Sequence, residues 1–219
     1  MLCVGVDRLI SQNINENIED AGAEVVAITV PLYASIRAFD KLYRRDGDDK
    51  MTSMLIDMEG ADSMVMIAHG ANCVFAHRAE LEQHEVKSEW TPETDSFPQV
   101  ISMPGAPSNE FDRREENEPR GLCGVRTTDS TIDTSFTGEL ERCLRHHNAL
   151  FPDRAVDRII FTGTGANDAE RCSAIAASVG IEGFIADPSA WIDGAAELAA
   201  GPAWTTAAGM CLRYSEVAA

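Results

Sequence analysis

Two short segments carry residue types that could bind a phosphate or a nucleotide. The first comprises Gly163, Thr164, Gly165 and Ala166, which follow a short apolar run and precede Asp168, a residue that can cap a helix. Glycine permits a tight turn with close approach of a ligand to the backbone, and a helix N-terminus favours anions. The segment therefore predicts contact with an adenosine or a phosphate. The alternative is a strand-to-helix turn that uses glycine for backbone geometry alone.

The second segment covers residues 57–63, with the sequence DMEGADS. An acid followed by a glycine and a hydroxyl could hold a metal-bound phosphate, which makes Asp57, Gly60 and Ser63 candidate ligand-binding residues. A plain hairpin turn would explain the same residues without a ligand. Glu59 counts against the phosphate, because its charge would repel an anion that approaches from solvent.

Histidines, cysteines and paired acids predict no catalytic or metal site. Cys143 and His147 are spaced to share a helix face, but no third ligand accompanies them, and the patterns HExxH and GxSxG are absent. Asp57 and Asp187 could meet at the carboxyl ends of two strands, as paired acids do in ribonuclease-H-like nucleases. The net charge argues against a nucleic-acid substrate. We therefore predict no catalytic residue and no bound metal.

The composition is that of an acidic globular protein. Thirty-six Asp and Glu against 18 Lys and Arg give the 219 residues a formal net charge of -18, which repels nucleic acids and anionic membranes. The six cysteines lie far apart, which predicts reduced core residues and no disulfide framework. No apolar stretch of about 18 residues occurs. We expect a cytoplasmic protein without direct membrane insertion, which reaches a membrane only through a partner.

Strand and helix patterns alternate in the N-terminal part of the chain. Apolar and β-branched runs predict strands at 2–6 and 24–30, and a second helix is predicted to begin at Pro31. Isoleucines at four-residue spacing predict a first helix with one narrow buried stripe, formed by Ile10, Ile14 and Ile18. This alternation implies parallel pairing. We predict a partial first subdomain over 1–48, closed by an acidic, glycine-containing cluster.

The remainder of the chain, 52–219, is predicted to form a second subdomain. It opens with three closely spaced extended runs that predict an antiparallel meander, at 54–56, 64–68 and 73–77. Residues 80–127 are rich in acids and prolines, which predicts a long polar insertion, partly mobile.

Helices and strands alternate again after this insertion. An apolar stripe predicts a helix that opens near Asp129 or Ser130 and ends near His147. Residues 156–188 predict strand, glycine turn, helix and strand, and a last helix over 205–214 is expected to pack closely against the sheet through its small residues. A meander followed by this alternation matches the ribonuclease-H-like half of actin-like proteins. We therefore predict an α/β fold with a mixed sheet flanked by helices.

Three segments resemble the C-terminal part of the PilM family of type IV pilus assembly proteins and their competence and secretion relatives, at 134–168, 187–193 and 201–213. This family belongs to the actin-like ATPase superfamily, in which a strand ends in a glycine-rich adenosine turn, and residues 163–166 stand in that place. The family also has an Asp-x-Gly phosphate turn. Asp57 matches its acid, and Glu59 stands where the family has glycine. The first phosphate loop has no counterpart, and the insertion replaces the helical subdomain that encloses ATP.

The resemblance implies a degenerate actin-like scaffold, a pseudo-ATPase with no cofactor. The alternative is a small ATPase or phosphotransferase that binds ATP with Mg through Asp57, Ser63 and the glycine turn. The resemblance also implies a partner, the cytoplasmic tail of a membrane-embedded pilus or secretion protein, which would recruit the chain to the inner membrane. A third possibility is that the chain is a fragment whose upstream half is encoded separately or has been lost.

Overall fold

The computed structural model of the chain describes residues 7–25, 28–39, 50–59, 62–80, 122–125, 134–190 and 201–217. The predicted strand at 2–6, the predicted boundary cluster and most of the predicted insertion lie outside the described residues. Gly60, one of the candidate ligand-binding residues, also lies outside them.

One mixed sheet of six strands forms the centre of the part that the structure describes. The strands are β1 Thr52–Glu59, β2 Asp62–His69, β3 Asn72–Glu80, β4 Leu122–Gly124, β5 Arg158–Thr162 and β6 Gly183–Ala186. In space their order is β3-β2-β1-β5-β6-β4. β1, β2 and β3 pair antiparallel, which confirms the predicted meander. β1, β5 and β6 pair in parallel, and β4 is antiparallel to β6.

β4 is a strand that the residue pattern does not predict. It comprises three residues, too few for any hydrophobic periodicity to be recognised. Its pairing with β6 brings Leu122 opposite Ala186 and extends the sheet by one strand. The end of the region predicted to be an insertion, 80–127, therefore contributes to the sheet.

Five α-helices accompany the sheet within the described ranges. They are α1 Arg8–Asp20, α2 Pro31–Ala38, α3 Thr134–Leu150, α4 Ala169–Val179 and α5 Thr205–Val217. Pro31 occupies the first turn of α2 and Gly180 ends α4 in a left-handed conformation, with φ 68, as expected for those residues. α3 continues three residues past His147, to Leu150.

The sheet is buried on both faces. Alternate residues of β1 point to opposite sides, so Met54, Ile56 and Met58 pack with α3 and α4, whereas Leu55 packs on the side of α2. All four side chains are buried. Burying an apolar side chain of this size contributes about 1.5–3 kcal/mol, so both layers of helices help to fix the position of β1.

The small residues of α5 pack mainly against α2, and not directly against the sheet as predicted. A methyl group at Gly209 would overlap the carbonyl oxygen of Ala34, so only glycine allows the two helix backbones to approach this closely. The hydroxyl oxygens of Ser35 and Thr206 are 2.9 Å apart across the same contact. α5 thus covers α2, and α2 covers the sheet.

α1 differs from its prediction. The helix forms where the isoleucine spacing predicts it, but the predicted burial of its stripe is wrong, because Ile10, Ile14 and Ile18 are all exposed and no residue of α1 is buried. The predicted strand at 24–30 is also absent from the described part of that range, where residues 24, 25 and 28–30 belong to no strand. A periodic stripe identifies the apolar side of a helix, and it does not say whether another element covers that side.

Candidate functional site

The carboxyl ends of β1 and β5 form one edge of the sheet. The two strands are parallel neighbours, and Asp57 is the register partner of Thr162. Both strands therefore end at the same edge of the sheet. β6 ends beside them at Ala186, and Asp187 follows directly. We call this edge the carboxyl rim and define it by residues 57–59, 162–166 and 187. Ligands of open α/β sheets collect at such edges, which makes the rim the candidate site.

The glycine turn has the predicted strand, turn, helix geometry. Gly163 has φ 82, a left-handed value that favours glycine, and Thr164–Asn167 form one turn of 3-10 helix. The Asp168 side chain then accepts a hydrogen bond from the backbone N–H of Arg171 at 3.4 Å, which caps α4. Strand, turn, helix and strand are confirmed over the whole unit from β5 to β6.

Both glycines of the turn are required by contacts within the protein. A methyl group at Gly163 would lie 2.6 Å from Oδ1 of Asp57 and 2.9 Å from the carbonyl carbon of Met58. A methyl group at Gly165 would lie 2.8 Å from the carbonyl oxygen of Met58. Because the turn lies directly on the backbone at the end of β1, its two glycines are explained by packing and need no ligand.

Glu59 accepts a hydrogen bond from a backbone N–H group of the glycine turn. The N–H of Thr164 donates a hydrogen bond to Oε2 of Glu59 at 3.0 Å, on the exposed side of the rim. The backbone N–H groups of such a turn are the ones expected to contact a phosphate. The carboxylate of Glu59 therefore already places a negative charge where the ligand hypothesis places a phosphate.

Asp57 lies next to the turn and is half-buried. Its Oδ1 accepts a hydrogen bond from Oγ1 of Thr162 at 3.2 Å. Burial raises the pKa of the Asp57 carboxyl above its usual range, the Thr162 hydrogen bond opposes this effect, and the negative charge of Glu59 adds to it. Two acids thus stand side by side at the rim, and Glu59 is the only charged group that contributes to the pKa shift of Asp57.

The remaining candidate residues do not join this group. Ser63 is the register partner of Met58 and is buried with it on the α3 and α4 side, whereas Asp57 lies on the opposite face with Thr162. Its hydroxyl has no hydrogen-bond partner among the described residues. Ala166 is fully buried in the same core. The structure therefore brings Asp57 together with Gly163 at the rim, whereas Ser63 and Ala166 lie on the core side.

Asp187 accepts three hydrogen bonds in the third part of the rim. Its Oδ1 accepts hydrogen bonds from the N–H and the hydroxyl of Ser189, at 3.1 and 2.7 Å, and from the N–H of Gly201 at 3.1 Å. The N–H of Gly163 donates to the carbonyl oxygen of Pro202 at 3.1 Å, which ties the glycine turn to the same segment. Asp187 and Asp57 thus bind separate partners. The Asp-Pro pair at 187–188 is the only sequence signal of this structural role.

Histidines meet at the opposite edge of the sheet. Nε2 of His69 lies 2.9 Å from Nε2 of His147, and the ring of Phe151 packs against both. Burial lowers the pKa of His69, and the charges of Arg154 and His147 lower it further. Among the described residues no group of three His, Cys, Asp or Glu side chains is arranged to hold a metal ion. The cysteines whose side chains are described, at 73, 143, 172 and 211, are free thiols.

Comparison with known proteins identifies the fold. No protein-family model matches the chain, and no curated protein matches it. A solved structure described as a PilM-PilN type IV pilus biogenesis complex is similar, with a TM-score of 0.56 and 14% sequence identity. The likeness covers 93% of this chain and 57% of that one, so the chain spans little more than half the length of its neighbour. The chain has an α/β, PilM-like fold, with a mixed sheet between helices. None of its described helices is both long and apolar enough to cross a bilayer.

Proposed function

We propose that this chain is a cytoplasmic docking protein of a type IV pilus or type II secretion-like assembly machine, which binds a partner and does not hydrolyse ATP. Its scaffold would be an actin-like one, with a partial first subdomain over 1–48 and a ribonuclease-H-like subdomain over 52–219. The strand order β3-β2-β1-β5-β6, with an antiparallel meander followed by parallel strands, supports this assignment. The likeness to a PilM-PilN complex supports the role in pilus assembly.

The observation that carries the proposal is the hydrogen bond from Thr164 N–H to Glu59. A triphosphate at the glycine turn would have to displace the Glu59 carboxylate, and it would approach two acids, Asp57 and Glu59. Like charges about 4 Å apart repel by roughly 4 kcal/mol at the effective dielectric constant of a protein surface. The glycines meanwhile have a packing role against Met58. The rim therefore supports a scaffold better than a phosphate site.

The proposed partner is the cytoplasmic tail of a membrane-embedded pilus or secretion protein. The neighbouring solved structure contains PilM together with PilN, and we extend that arrangement to this chain as a proposal. In this view the partner recruits the chain to the inner membrane. No lipid contact of the chain itself is needed, and its net charge of -18 disfavours one.

Calorimetric titration with Mg-ATP tests the absence of nucleotide binding. We expect no binding tighter than about 100 μM, which corresponds to roughly 5.5 kcal/mol. Two variants distinguish the negative charge of Glu59 from its hydrogen bond to Thr164 N–H. Glu59→Gly removes the whole side chain, and Glu59→Gln removes only its charge. Tight binding by the unmodified protein would overturn the scaffold proposal.

The second candidate function is that of a small ATPase or phosphotransferase. One observation favours it, namely the half-buried Asp57 carboxyl beside the glycine turn. ATP turnover that is lost in Asp57→Asn and retained in Asp153→Asn, an exposed acid elsewhere, would establish this function.

Affinity capture tests the docking role directly. The full chain carrying an affinity tag is incubated with detergent-solubilised membranes from its own source, and the bound proteins are identified by mass spectrometry. We expect a pilus or secretion component with a cytoplasmic tail. Recovery of no such component would count against the proposed function.

A further inference from the structure

Four of the five histidines of the chain lie where α3 packs against β2 and β3, namely His69, His77, His146 and His147. Two of them meet directly, because Nε2 of His69 is 2.9 Å from Nε2 of His147. The His147 side chain is fully buried, and the ring of Phe151 packs against both imidazoles. We call His69 and His147 the histidine pair.

The number of protons on the two rings decides whether they can stay in contact. A neutral imidazole has one N–H donor and one acceptor nitrogen, whereas an imidazolium has two donors and no acceptor. A distance of 2.9 Å between the two Nε2 atoms is that of a hydrogen bond, so one nitrogen donates and the other accepts. Oδ1 of Asn148 lies 3.4 Å from Nδ1 of His147, which favours a proton on that nitrogen and makes His69 the donor between the rings. The bond can exist with both rings neutral or with one ring charged. With both rings charged, two N–H groups face each other and the bond is lost.

Charges near the histidine pair make protonation of both rings unfavourable. Burial lowers the pKa of His69, and the positive charges of Arg154 and His147 lower it further. Two acids follow α3, Asp153 and Asp157, but neither is among the groups that shift this pKa. Oδ2 of Asp157 instead accepts a backbone N–H of β1 at 2.7 Å.

The other neighbours of the pair add no charge. The register partners of His69 are Thr52 in β1 and Asn72 in β3, both uncharged. Cys143 lies one turn before His147 on α3, and burial raises the pKa of its thiol, which therefore stays neutral. Charging both rings thus brings two positive charges together without a counter-charge among these described neighbours.

We propose that the histidine pair is a pH-sensitive contact, which holds the last turn of α3 against β2 while at most one ring is charged and releases it when both are protonated. Release extends to the residues after the helix, because Phe151 N–H donates to the carbonyl oxygen of His147 at 2.8 Å and Arg154 N–H donates to that of Phe151 at 3.1 Å. The start of β5 stays in place, since Asp157 N–H donates to the carbonyl oxygen of Thr52 at 2.9 Å and involves no imidazole. This inference is independent of the proposed docking function.

Another histidine of the same contact responds to acid in the opposite way. Nε2 of His77 lies 3.1 Å from Oε2 of Glu139, two turns before the end of α3. Protonation of His77 turns this hydrogen bond into an ion pair and strengthens it. Acid should therefore release only the C-terminal end of α3, while the part of the helix near Glu139 stays on β3.

The sign of the effect on stability follows from the lowered pKa. Because the pKa of His69 in the folded chain lies below the usual 6.5, the unfolded chain binds protons first as the pH falls. Stability is therefore complete above about pH 6.5, decreases as the pH falls through it, and levels off below the folded-state pKa. Each proton that only the unfolded chain binds raises the unfolding equilibrium constant about tenfold per pH unit.

Urea unfolding of the full chain between about pH 7.5 and about pH 5, in buffer with EDTA, tests the inference above the usual pKa of carboxyl groups. In the unmodified protein the unfolding constant should rise by up to about tenfold per pH unit below about pH 6.5. The rise should be smaller in His69→Gln and in His147→Gln, because the glutamine amide does not titrate and can still accept a hydrogen bond from a charged imidazole. His146→Gln is the matched control, since His146 is the adjacent, exposed histidine of α3, and it should keep the full rise. Groups such as Asp57 are common to all variants and do not affect the comparison.

Hydrogen exchange followed by NMR locates the released segment. Between the same pH limits, and after correction for the intrinsic exchange rate, protection of the Phe151 amide should fall more than that of the β2 amides. This difference should persist in His146→Gln and disappear in His69→Gln.

Three outcomes would overturn the inference. The first is an equal pH dependence of unfolding in His69→Gln and His146→Gln. The second is equal loss of protection at Phe151 and in β2, which would mean that no local release occurs. The third is a pH dependence seen only without EDTA, which would come from a metal ion bound between the rings. None of these results bears on the docking function, which the affinity capture tests separately.

Discussion

The carboxyl rim and α1 contrast in how well each satisfies its own chemical groups. At the rim, Thr164 N–H, Asp57 and Asp187 all have partners within the chain, and the glycines fit against Met58. On α1, an apolar stripe is exposed, and the last turn contains acids and no basic residue. The rim carries the residue types expected of a ligand site, and yet its donors are already used. The residue types at the rim therefore do not by themselves indicate an open phosphate site.

The largest expected difference in the free energy of unfolding is between truncating an apolar side chain of α3 and truncating one of α1. Leu140 in α3 is fully buried, and Leu140→Ala should reduce the free energy of unfolding by about 4 kcal/mol. Ile14→Ala in α1 should change it by less than about 0.5 kcal/mol, because the side chain is exposed. Urea denaturation followed by circular dichroism measures both. A large loss for Ile14→Ala would mean that α1 is packed, and the contrast would disappear.

Alanine substitutions at three glycines test how tightly the glycine turn packs at the rim. Gly163→Ala combines a left-handed φ with a backbone clash and should cost about 3 kcal/mol. Gly180→Ala has a φ of 68 but open space, and should cost about 1 kcal/mol. Gly138→Ala, inside α3 with open space, should stabilise by about 0.5 kcal/mol or more. Thermal unfolding ranks the three variants. Equal effects of Gly163→Ala and Gly180→Ala would show that the contact with Met58 is not tight.

A smaller effect is expected from the Asp57 carboxyl. Since burial raises its pKa in the folded protein above the usual 3.8, ionising Asp57 is less favourable in the folded than in the unfolded chain. The resulting loss of stability is absent well below pH 3.8 and develops as the pH rises through the folded-state pKa. Asp57→Asn should therefore be more stable than the unmodified protein at pH 7, and the difference should vanish in acid. Urea titrations across this pH range test it, and a constant difference would contradict the assignment.

The smallest effect concerns Glu59. Glu59→Ala removes the acceptor of the Thr164 N–H and should cost about 0.5 kcal/mol or slightly more, because the bond is exposed. Hydrogen exchange of the Thr164 amide, followed by NMR, is the more sensitive measurement. Exchange should accelerate in Glu59→Ala and change little in Glu59→Gln, whose amide oxygen can still accept. Unchanged exchange in both variants would mean that the carboxylate does not occupy this donor.

Local chemistry made much of the sheet predictable. Gly163, Asp168 and Gly180 each have one evident backbone role, so the order of strand, turn, helix and strand followed from the residues alone. The meander followed from three short runs separated by turn residues. β4 could not be found in this way, because its three residues gain their extended conformation from pairing with β6.

The candidate site was less predictable than the fold. Asp57 and the glycine turn lie at one edge because β1 and β5 are parallel, and parallel strands bring their carboxyl ends together. Ser63 was grouped with them by sequence proximity, but the pleat places it on the other face. That the turn's N–H is bound by Glu59 depends on a contact between residues 105 positions apart, which no local pattern encodes. The exposure of α1 likewise depends on what surrounds it.

The contact between α2 and α5 has a consequence for biosynthesis. Ser35 and Thr206 are 171 positions apart, and Gly209 lies against Ala34. A nascent chain therefore emerges from the ribosome with α2 in place long before the helix that covers it has been translated. The outer side of α2 must therefore stay uncovered until residues 205–217 have been synthesised. A premature stop before residue 205 would leave this surface of α2 exposed.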